Sequence, residues 1–173
     1  MEIIKQLAKH EHEQVIYFND SKLGVKGIIA IHNTYLGPSL GGCRMWNYEN
    51  EQQALNDVLR LSRAMTYKAA VAGLDLGGGK AVIIGDSKKQ KTTDLFQSFG
   101  RVVNSLGGRY ITAEDVGTNE NDMETIFKET RYVTGIPKKI GGSGDPSPFT
   151  AYGVYVGMLA CIKEKYGRSS LNG

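Results

Sequence analysis

Hydrophobic residues in this 173-residue chain occur in two spacings, one typical of strands and one typical of helices. Runs rich in β-branched and aromatic residues predict strands at 14–18, 25–32, 43–46, 81–84 and 109–112. Apolar residues that recur every three to four positions predict helices at 2–9, 50–70, 94–106, 121–130 and 147–166. Because the strands alternate with helices, we expect an α/β fold in which helices cover a sheet.

Polar residues and glycines mark the boundaries of these segments. Asn50 is predicted to cap the second helix with Gln53 as its capping-box partner, and Ser147 is predicted to cap the last helix with Pro148 at its first helical position. The segment 36–42 is predicted to be a loop. Glycine clusters often lie where the backbone turns sharply or approaches a ligand, so they are candidate walls of a site. The clusters are at 41–42, 77–79, 107–108 and 141–144.

The composition argues against several classes of protein. A chain of this length with 40% hydrophobic residues can bury a core, so we do not expect disorder. Its net charge is only +3 and no stretch concentrates the basic residues, which makes nucleic acid a poor partner. The sequence has neither a signal peptide nor an 18-residue apolar run, so we expect a soluble cytoplasmic protein with no membrane partner.

Disulfides, a metal site and the usual dinucleotide-binding motif are not expected in this chain. Cys43 and Cys161 form no CxxC pair, and His10 and His12 lack further ligands, so we expect neither a disulfide framework nor a metal site. No GxGxxG sequence follows any predicted strand, so the usual dinucleotide-binding fingerprint is missing.

Two lysines are the first candidates for chemistry. Lys68 follows the apolar residues Leu61 and Met65 at helical spacing, and Lys80 lies between three glycines and an apolar strand, so both ammonium groups are expected to be partly enclosed. If they share a site, desolvation and mutual repulsion lower their pKa values. A neutral lysine could then act as a general base while a charged one holds a substrate carboxylate. An isolated lysine that extends to solvent past an apolar rim is the alternative for Lys68.

Acidic and hydroxyl groups form the remaining candidates. Glu114 and Asp115 follow a short predicted strand, where an acidic residue could serve catalysis or could simply cap the next turn. Asp115 is the stronger candidate because of the two lysines. Thr150 lies in the first turn of the last predicted helix, where its hydroxyl could meet a polar ligand or could belong only to helix initiation.

Four runs of sequence resemble, in order and spacing, the glutamate, leucine, phenylalanine and valine dehydrogenase family, with its leucine-type members the most similar. The resemblance covers essentially the whole chain. It implies the helix-covered mixed sheet of the N-terminal, substrate-binding domain of these enzymes, without the Rossmann domain. It also implies reversible, NAD-linked oxidative deamination of an L-amino acid to a 2-oxo acid and ammonia. The runs are LGPSLGGCRM, ALNDVLRLSRAMTYKAAVAGLDLGGGKAVIIGD, GRYITAEDVGT and GGSGDPSPFTAYGV.

The resemblance assigns roles to the candidate catalytic residues. The lysine that matches Lys80 is the catalytic base, and the aspartate that matches Asp115 exchanges protons with the amino group. The lysine that matches Lys68 binds the substrate carboxylate, helped by backbone at Gly41 and Gly42.

Further positions follow from the same resemblance. The residue that matches Met65 helps to bind the substrate, and the threonine that matches Thr150 contacts the nicotinamide end of NAD. The residues that match Leu40 and Ala113 line the side-chain pocket, and because both are apolar here we expect a branched aliphatic substrate such as leucine, valine or isoleucine. A phenylalanine-preferring enzyme is the alternative substrate class.

The resemblance also divides the chain. Residues 1–168 are expected to form a substrate-binding, catalytic and oligomerisation domain, and 169–173 the start of a linker to an absent nucleotide-binding domain. The chain alone is therefore expected to be inactive, and to form a homo-oligomer. The rival hypothesis is a module that binds amino acids or assembles subunits without redox chemistry. Lys80 and Asp115 argue against it, because binding alone needs neither a base nor a proton shuttle.

Overall fold

A computed structural model describes residues 3–172 as a five-stranded sheet with helices on both faces. The strands are β1 (Gln14–Asp20), β2 (Val25–Asn33), β3 (Ser39–Trp46), β4 (Gly77–Ile84) and β5 (Tyr110–Glu114). The helices are α1 (Ile3–His10), α2 (Glu51–Val71), α3 (Thr93–Ser105), α4 (Glu120–Phe127) and α5 (Ser147–Tyr166), with a short 3₁₀ turn at Lys138–Ile140.

The order of the strands across the sheet is β1-β2-β4-β3-β5. β1 pairs antiparallel with β2, and β2 antiparallel with β4, whereas β3 is parallel to both β4 and β5. The expected α/β fold with a mixed sheet is therefore confirmed. Because β3, β4 and β5 run in the same direction, their carboxyl ends lie at one edge of the sheet.

Two apolar cores cover the two faces of the sheet, and β4 contributes to both. Ala81 and Ile83 of β4 pack with α3 and α4, while Val82 packs with α2 on the opposite face. This alternation is the period of two that a pleated strand imposes on its side chains. β4 therefore has no solvent-facing side, which explains why its sequence is nearly continuous in apolar and small residues.

The glycine clusters at 41–42 and 77–79 lie inside strands, which corrects the predicted boundaries, whereas those at 107–108 and 141–144 lie in turns and loops. β3 begins at Ser39 and β4 at Gly77, although strands were expected only from 43 and 81 and the segment 36–42 was predicted to be a loop. A Cβ on Gly78 would lie 2.2 Å from the backbone nitrogen of Thr66 in α2. Gly78 therefore lets α2 pack directly on the backbone of β4.

The five predicted helices are confirmed, with ends that differ by up to three residues, and the predicted start of the first helix at residue 2 lies outside the described residues. Asn50 caps α2 by accepting a hydrogen bond from the Gln53 N–H at 3.0 Å, but the Gln53 side chain accepts from Glu49 rather than from Asn50. The expected cap of α5 is wrong, because Ser147 is already helical. Its backbone N–H instead donates to the carboxylate of Asp145 at 2.7 Å.

α5 projects from the rest of the domain. None of its residues is buried, although it carries large apolar side chains such as Phe149 and Tyr152, which are 72% and 68% exposed. Within residues 3–172, no helix combines the length and the apolar character needed to cross a membrane.

We predict that Gly78→Ala lowers the free energy of unfolding by about 3 kcal/mol, because its new methyl group overlaps the backbone of α2. Gly153→Ala in α5 is the matched control, because a Cβ there meets nothing within 4 Å. Alanine is the better helix former, so this control is expected to be neutral or to stabilise the protein by up to about 1 kcal/mol. Urea unfolding measures both, and equal stabilities of the two variants would contradict the close packing of α2 on β4.

Candidate active site

The functional candidates of three strands share the sheet face that α2 covers. β3 lies between β4 and β5, with Gly42 opposite Ala113 and Arg44 opposite Val82. Because Val82 packs against α2, the alternation of β4 places Lys80 on the same face. The site therefore lies at the edge of the area that α2 covers.

Lys80 is the buried cation of this site. It is only 4% exposed, and its Nζ lies 2.8 Å from Oδ1 of Asp115. Burial lowers the pKa of Lys80 below its ordinary value, the nearby Asp115 carboxylate partly offsets this effect, and the Arg44 guanidinium adds to the lowering. The proton of Lys80 is therefore held less tightly than that of an ordinary lysine.

Asp115 lies in the turn after β5 and bridges two cations. Its Oδ1 faces Lys80, and its Oδ2 accepts a hydrogen bond from Nε of Arg44 at 2.7 Å. Burial pushes the pKa of Asp115 up, but the charges and hydrogen bonds of Lys80 and Arg44 outweigh burial and hold the pKa below its ordinary value. Asp115 is therefore a carboxylate at neutral pH.

Gly41 and Gly42 have no side chains, which allows the backbone of β4 and the Asp115 side chain to lie close to β3. A Cβ on Gly42 would lie 2.9 Å from Cβ of Asp115, and one on Gly41 would lie 1.7 Å from the carbonyl oxygen of Gly79. The Gly41 carbonyl also accepts a hydrogen bond from the buried Tyr110 hydroxyl at 2.6 Å. Gly42 thus lies beside the Lys80–Asp115 pair, whereas Gly41 is closely packed against the backbone of β4.

Lys68 does not share the enclosed site, so the expectation of two buried ammonium groups is wrong. Lys68 lies exposed in the last turn of α2 and has no ion pair within residues 3–172. The stripe of α2 that faces the sheet runs through Val58, Ser62 and Ala69, and Lys68 is rotated about 100° from that stripe. The cation that lies beside Lys80 and lowers its pKa is Arg44.

The remaining candidates lie at or near the surface. Leu40, Met65 and Ala113 are partly exposed, as expected for residues that line an open site. Thr150 is exposed in the first turn of α5, and its hydroxyl donates to the Pro146 carbonyl at 3.2 Å. The structure therefore places the Thr150 hydroxyl in a bond within its own helix, with no bond to Lys80 or Asp115.

Sequence reasoning missed Arg44 and the residues behind it. Arg44 also donates from NH1 to Asp57 of α2 at 2.8 Å, and Asp57 accepts from the Tyr48 hydroxyl at 2.8 Å. The signal was present, because Arg44 follows Gly42 by two residues and so lies on the same face of the strand.

A second acidic pair lies next to the site. Glu114, the last residue of β5, forms a hydrogen bond with the carboxyl group of Asp145, which precedes α5. Burial, followed by that hydrogen bond and by the charge of Asp145, raises the pKa of Glu114 to about 7. The pKa of Asp145 is lowered, so the proton of this pair is held by Glu114 while Asp145 is a carboxylate.

Other features do not coincide with these residues. A groove of about 470 Å³ between α1 and α2, lined by Lys9, His10, Arg60 and Arg63 among others, contains none of the candidates. His12 is buried against α2, where Nε2 contacts the Ser62 hydroxyl at 3.0 Å. Across residues 3–172, no cluster of three or more His, Cys, Asp or Glu side chains could hold a metal ion.

We predict that stability falls as pH rises through about 7, because the folded chain holds a proton on Glu114 that the unfolded chain releases near the ordinary glutamate pKa. The stability that this proton contributes is fully present below the ordinary pKa of glutamate and is lost as pH rises and Glu114 ionises in the folded chain. In Glu114→Gln the amide cannot ionise, so the variant gains stability relative to the original chain between pH 4.5 and 8. Thermal unfolding across this range tests the effect, with Glu164→Gln on the exposed α5 as control. A difference between Glu114→Gln and the original chain that is independent of pH would contradict it.

Several known proteins resemble this chain in sequence and in fold. Leucine dehydrogenase of Bacillus subtilis is 58% identical over 173 residues, which is all of this chain and 48% of that protein. Phenylalanine dehydrogenase of Caldalkalibacillus thermarum is 53% identical over 161 residues, which is 93% of this chain and 44% of that protein. The crystal structure of L-tryptophan dehydrogenase from Nostoc punctiforme matches with a TM-score of 0.76 at 43% identity, over 99% of this chain and 48% of that one.

This chain therefore spans about half the length of the relatives it matches. The sequence model of the Glu/Leu/Phe/Val dehydrogenase dimerisation domain matches residues 12–132, which is more than half of the chain. The resemblance inferred from the motifs is thus confirmed, and the chain belongs to the Glu/Leu/Phe/Val dehydrogenase family.

Proposed function

We propose that this chain is the substrate-binding and catalytic half of a longer NAD-dependent L-amino-acid dehydrogenase that acts on branched-chain amino acids. The observation that carries the proposal is the ion pair of the buried Lys80 with Asp115, on a sheet face where Gly42 has no side chain. A buried lysine with a lowered pKa beside a carboxylate can accept and donate protons during a reaction.

The proposed reaction converts an L-amino acid, NAD⁺ and water to a 2-oxo acid, ammonium, NADH and a proton. The Cα–H and C–N bonds break, water supplies the oxygen of the new C=O bond, and the amino acid loses two electrons. Neutral Lys80 takes a proton from the water that attacks the α-carbon. Asp115 exchanges protons with the departing amine, which it can do because Lys80 and Arg44 keep it ionised between transfers.

NAD, when bound, supplies the acceptor for the hydride from the α-carbon. Residues 3–172 provide no glycine-rich turn before a helix for its pyrophosphate, so they do not fit the whole dinucleotide. Thr150 is our candidate for contact with the nicotinamide end. One hydrogen bond contributes about 0.5–1.5 kcal/mol, which is too little to immobilise a dinucleotide. The chain alone is therefore expected to be inactive.

Lys68 is proposed to bind the substrate carboxylate. Its exposure suits this role, because an ammonium group in contact with water stays charged and can meet an anion that arrives from solvent. Met65, one helical turn earlier in α2, and the backbone of Gly41 and Gly42 complete the proposed carboxylate site.

Leu40 and Ala113 are proposed to line the pocket for the substrate side chain. A second carboxylate, as in glutamate, would need a cation at Leu40, because a buried unpaired charge is very costly. The methyl group of Ala113 narrows the space for an aromatic ring, but one methyl group discriminates by only about 1–3 kcal/mol. A phenylalanine-preferring enzyme is therefore the second candidate.

We also propose that residues 1–168 form one substrate-binding, catalytic and oligomerisation domain, with 169–173 as the start of a linker. The matched family model describes a dimerisation domain, which supports a homo-oligomer. β1 is an edge strand whose outer side is unpaired within residues 3–172, so it offers backbone groups for contact between subunits. Assembly without chemistry remains the rival function, and kinetics separates the two.

We predict that Lys80→Ala in the complete enzyme lowers kcat by about 10²–10⁴-fold with little change in KM, because a general base acts on the chemical step. Lys68→Ala is expected mainly to raise KM, since this lysine binds the substrate in the ground state. Lys128→Ala, an exposed lysine after α4, is the control and is expected to match the unmodified enzyme. Steady-state oxidation of leucine measures all three. A Lys80→Ala enzyme with near-normal kcat would remove the base assignment.

A further inference from the structure

We infer that Arg44 is a positioning residue, which holds the carboxylate of Asp115 at Lys80 and is itself anchored to α2 through Asp57. The inference rests on the proposed function, because it assigns Arg44 to the same reaction. It adds three residues to the site, of which Arg44 lies on β3, Asp57 on α2, and Tyr48 in the connection between them.

The Arg44 guanidinium makes two hydrogen bonds in different directions. Its Nε donates to Oδ2 of Asp115 at 2.7 Å, and its NH1 donates to Oδ2 of Asp57 at 2.8 Å. The side chains of Arg44, Asp57 and Asp115 are 21%, 16% and 22% exposed, so solvent screens these bonds only partly. The planar guanidinium presents both donors in a fixed geometry, which a lysine ammonium cannot reproduce.

Asp57 is a fixed anchor because three groups donate to its carboxylate. Oδ2 accepts from Arg44 and from the Tyr48 hydroxyl, and Oδ1 accepts from NH2 of Arg60 at 2.7 Å. These bonds hold the pKa of Asp57 below its ordinary value against the opposing effect of burial, so the anchor stays charged. Arg44 is thus tied to α2, which packs on the sheet.

The backbone of Asp115 is held separately, which leaves its side chain as the part that Arg44 fixes. The Asp115 N–H donates to the Thr118 hydroxyl at 2.9 Å, and that hydroxyl contacts the Cys43 carbonyl at 2.9 Å. The Asp115 side chain lies directly over Gly42, because a Cβ on Gly42 would lie 2.9 Å from Cβ of Asp115. Because Arg44 occupies Oδ2, Oδ1 remains directed at Lys80.

Arg44 also acts electrostatically on both members of the pair. Besides burial, the pKa of Lys80 responds mainly to Asp115 and the Cys43 thiol, which raise it, and to Arg44, which lowers it. Removal of the Arg44 charge is therefore expected to raise the pKa of Lys80 and of Asp115 together. A bridge that merely joined β3 to α2 would change stability without moving either pKa.

The kinetic test uses the complete enzyme with Arg44→Gln and Arg44→Lys. The acidic limb of kcat/KM for amino-acid oxidation reports the group that must lose its proton, which is Lys80. Arg44→Gln is expected to shift this limb to higher pH and to lower kcat by about 10–100-fold, with KM changed less than about threefold. Arg44→Lys keeps the charge but loses the bridge, so its limb is expected to stay in place while kcat falls.

The matched control is Arg101→Gln, which removes an exposed arginine from its ion pair with Glu129 and is expected to alter neither kcat nor the limb. Asp57→Asn provides a second variant that retains Arg44 if Arg44→Gln fails to fold. Asp57→Asn is expected to lower kcat with the limb nearly unchanged. Normal kcat and an unmoved limb in folded Arg44→Gln or Asp57→Asn would overturn the inference.

A second readout does not depend on activity. The ¹³Cγ resonance of Asp115, followed against pH in the chain of residues 1–173, is expected to titrate at higher pH in Arg44→Gln than in the original chain or in Arg101→Gln. An unchanged Asp115 midpoint would overturn the contact itself. If the Asp115 midpoint shifts in Arg44→Gln but the unmodified complete enzyme does not oxidise amino acids, the contact is supported and the proposed function is rejected.

Discussion

The ion pair between Lys80 and Asp115 is the constraint on which the arrangement of this domain depends. An ammonium group that is only 4% exposed needs a partner, because an unpaired buried charge is very costly. That partner comes from the turn after β5, whereas Lys80 lies on β4, and β3 runs between the two strands. The pair therefore spans β3, and this is possible because Gly42 has no side chain to fill the space.

The same constraint explains how α2 and β4 fit together. Gly78 lets α2 approach the sheet, and α2 then carries Asp57 to the guanidinium of Arg44. Charges of alternating sign thus run from Asp57 through Arg44 and Asp115 to Lys80, with every neighbour within hydrogen-bonding distance. The glycines of β3 and β4 thus allow both the close approach of α2 and the ion pair that spans β3.

Local patterns were sufficient to predict most of the fold, and long-range packing determined the rest. The helical spacing from Asn50 to Ala70 and the apolar run at 81–84 predicted α2 and the second half of β4. The starts of β3 and β4 were missed because glycine has a low strand propensity, and their pairing depends on neighbours that are distant in sequence. Lys80 and Asp115 were predicted as a functional pair, and the structure places them 2.8 Å apart.

The positions of Lys68 and Arg44 were not predicted correctly, because they depend on the direction in which each side chain leaves its helix or strand. Lys68 was expected to be enclosed, but a difference of one position around α2 turns it to solvent. Arg44 was missed because the segment 36–42 was predicted to be a loop, so the alternation of β3 was not extended through Gly42 to Arg44. Hydrogen bonds such as those from Arg44 to Asp57 and Asp115 depend on tertiary geometry, which hydrophobic spacing does not encode.

The most direct test of this account is the pKa of Lys80 itself. The ¹³Cε resonance of Lys80, assigned by its loss in Lys80→Arg, can be followed against pH in the chain labelled with ¹³C-lysine. Since burial and Arg44 together outweigh the attraction of Asp115, we expect a midpoint below the ordinary lysine value of about 10.4. A midpoint at or above that value would contradict it, because the lysine would then be held as a cation by Asp115 and could not serve as the base.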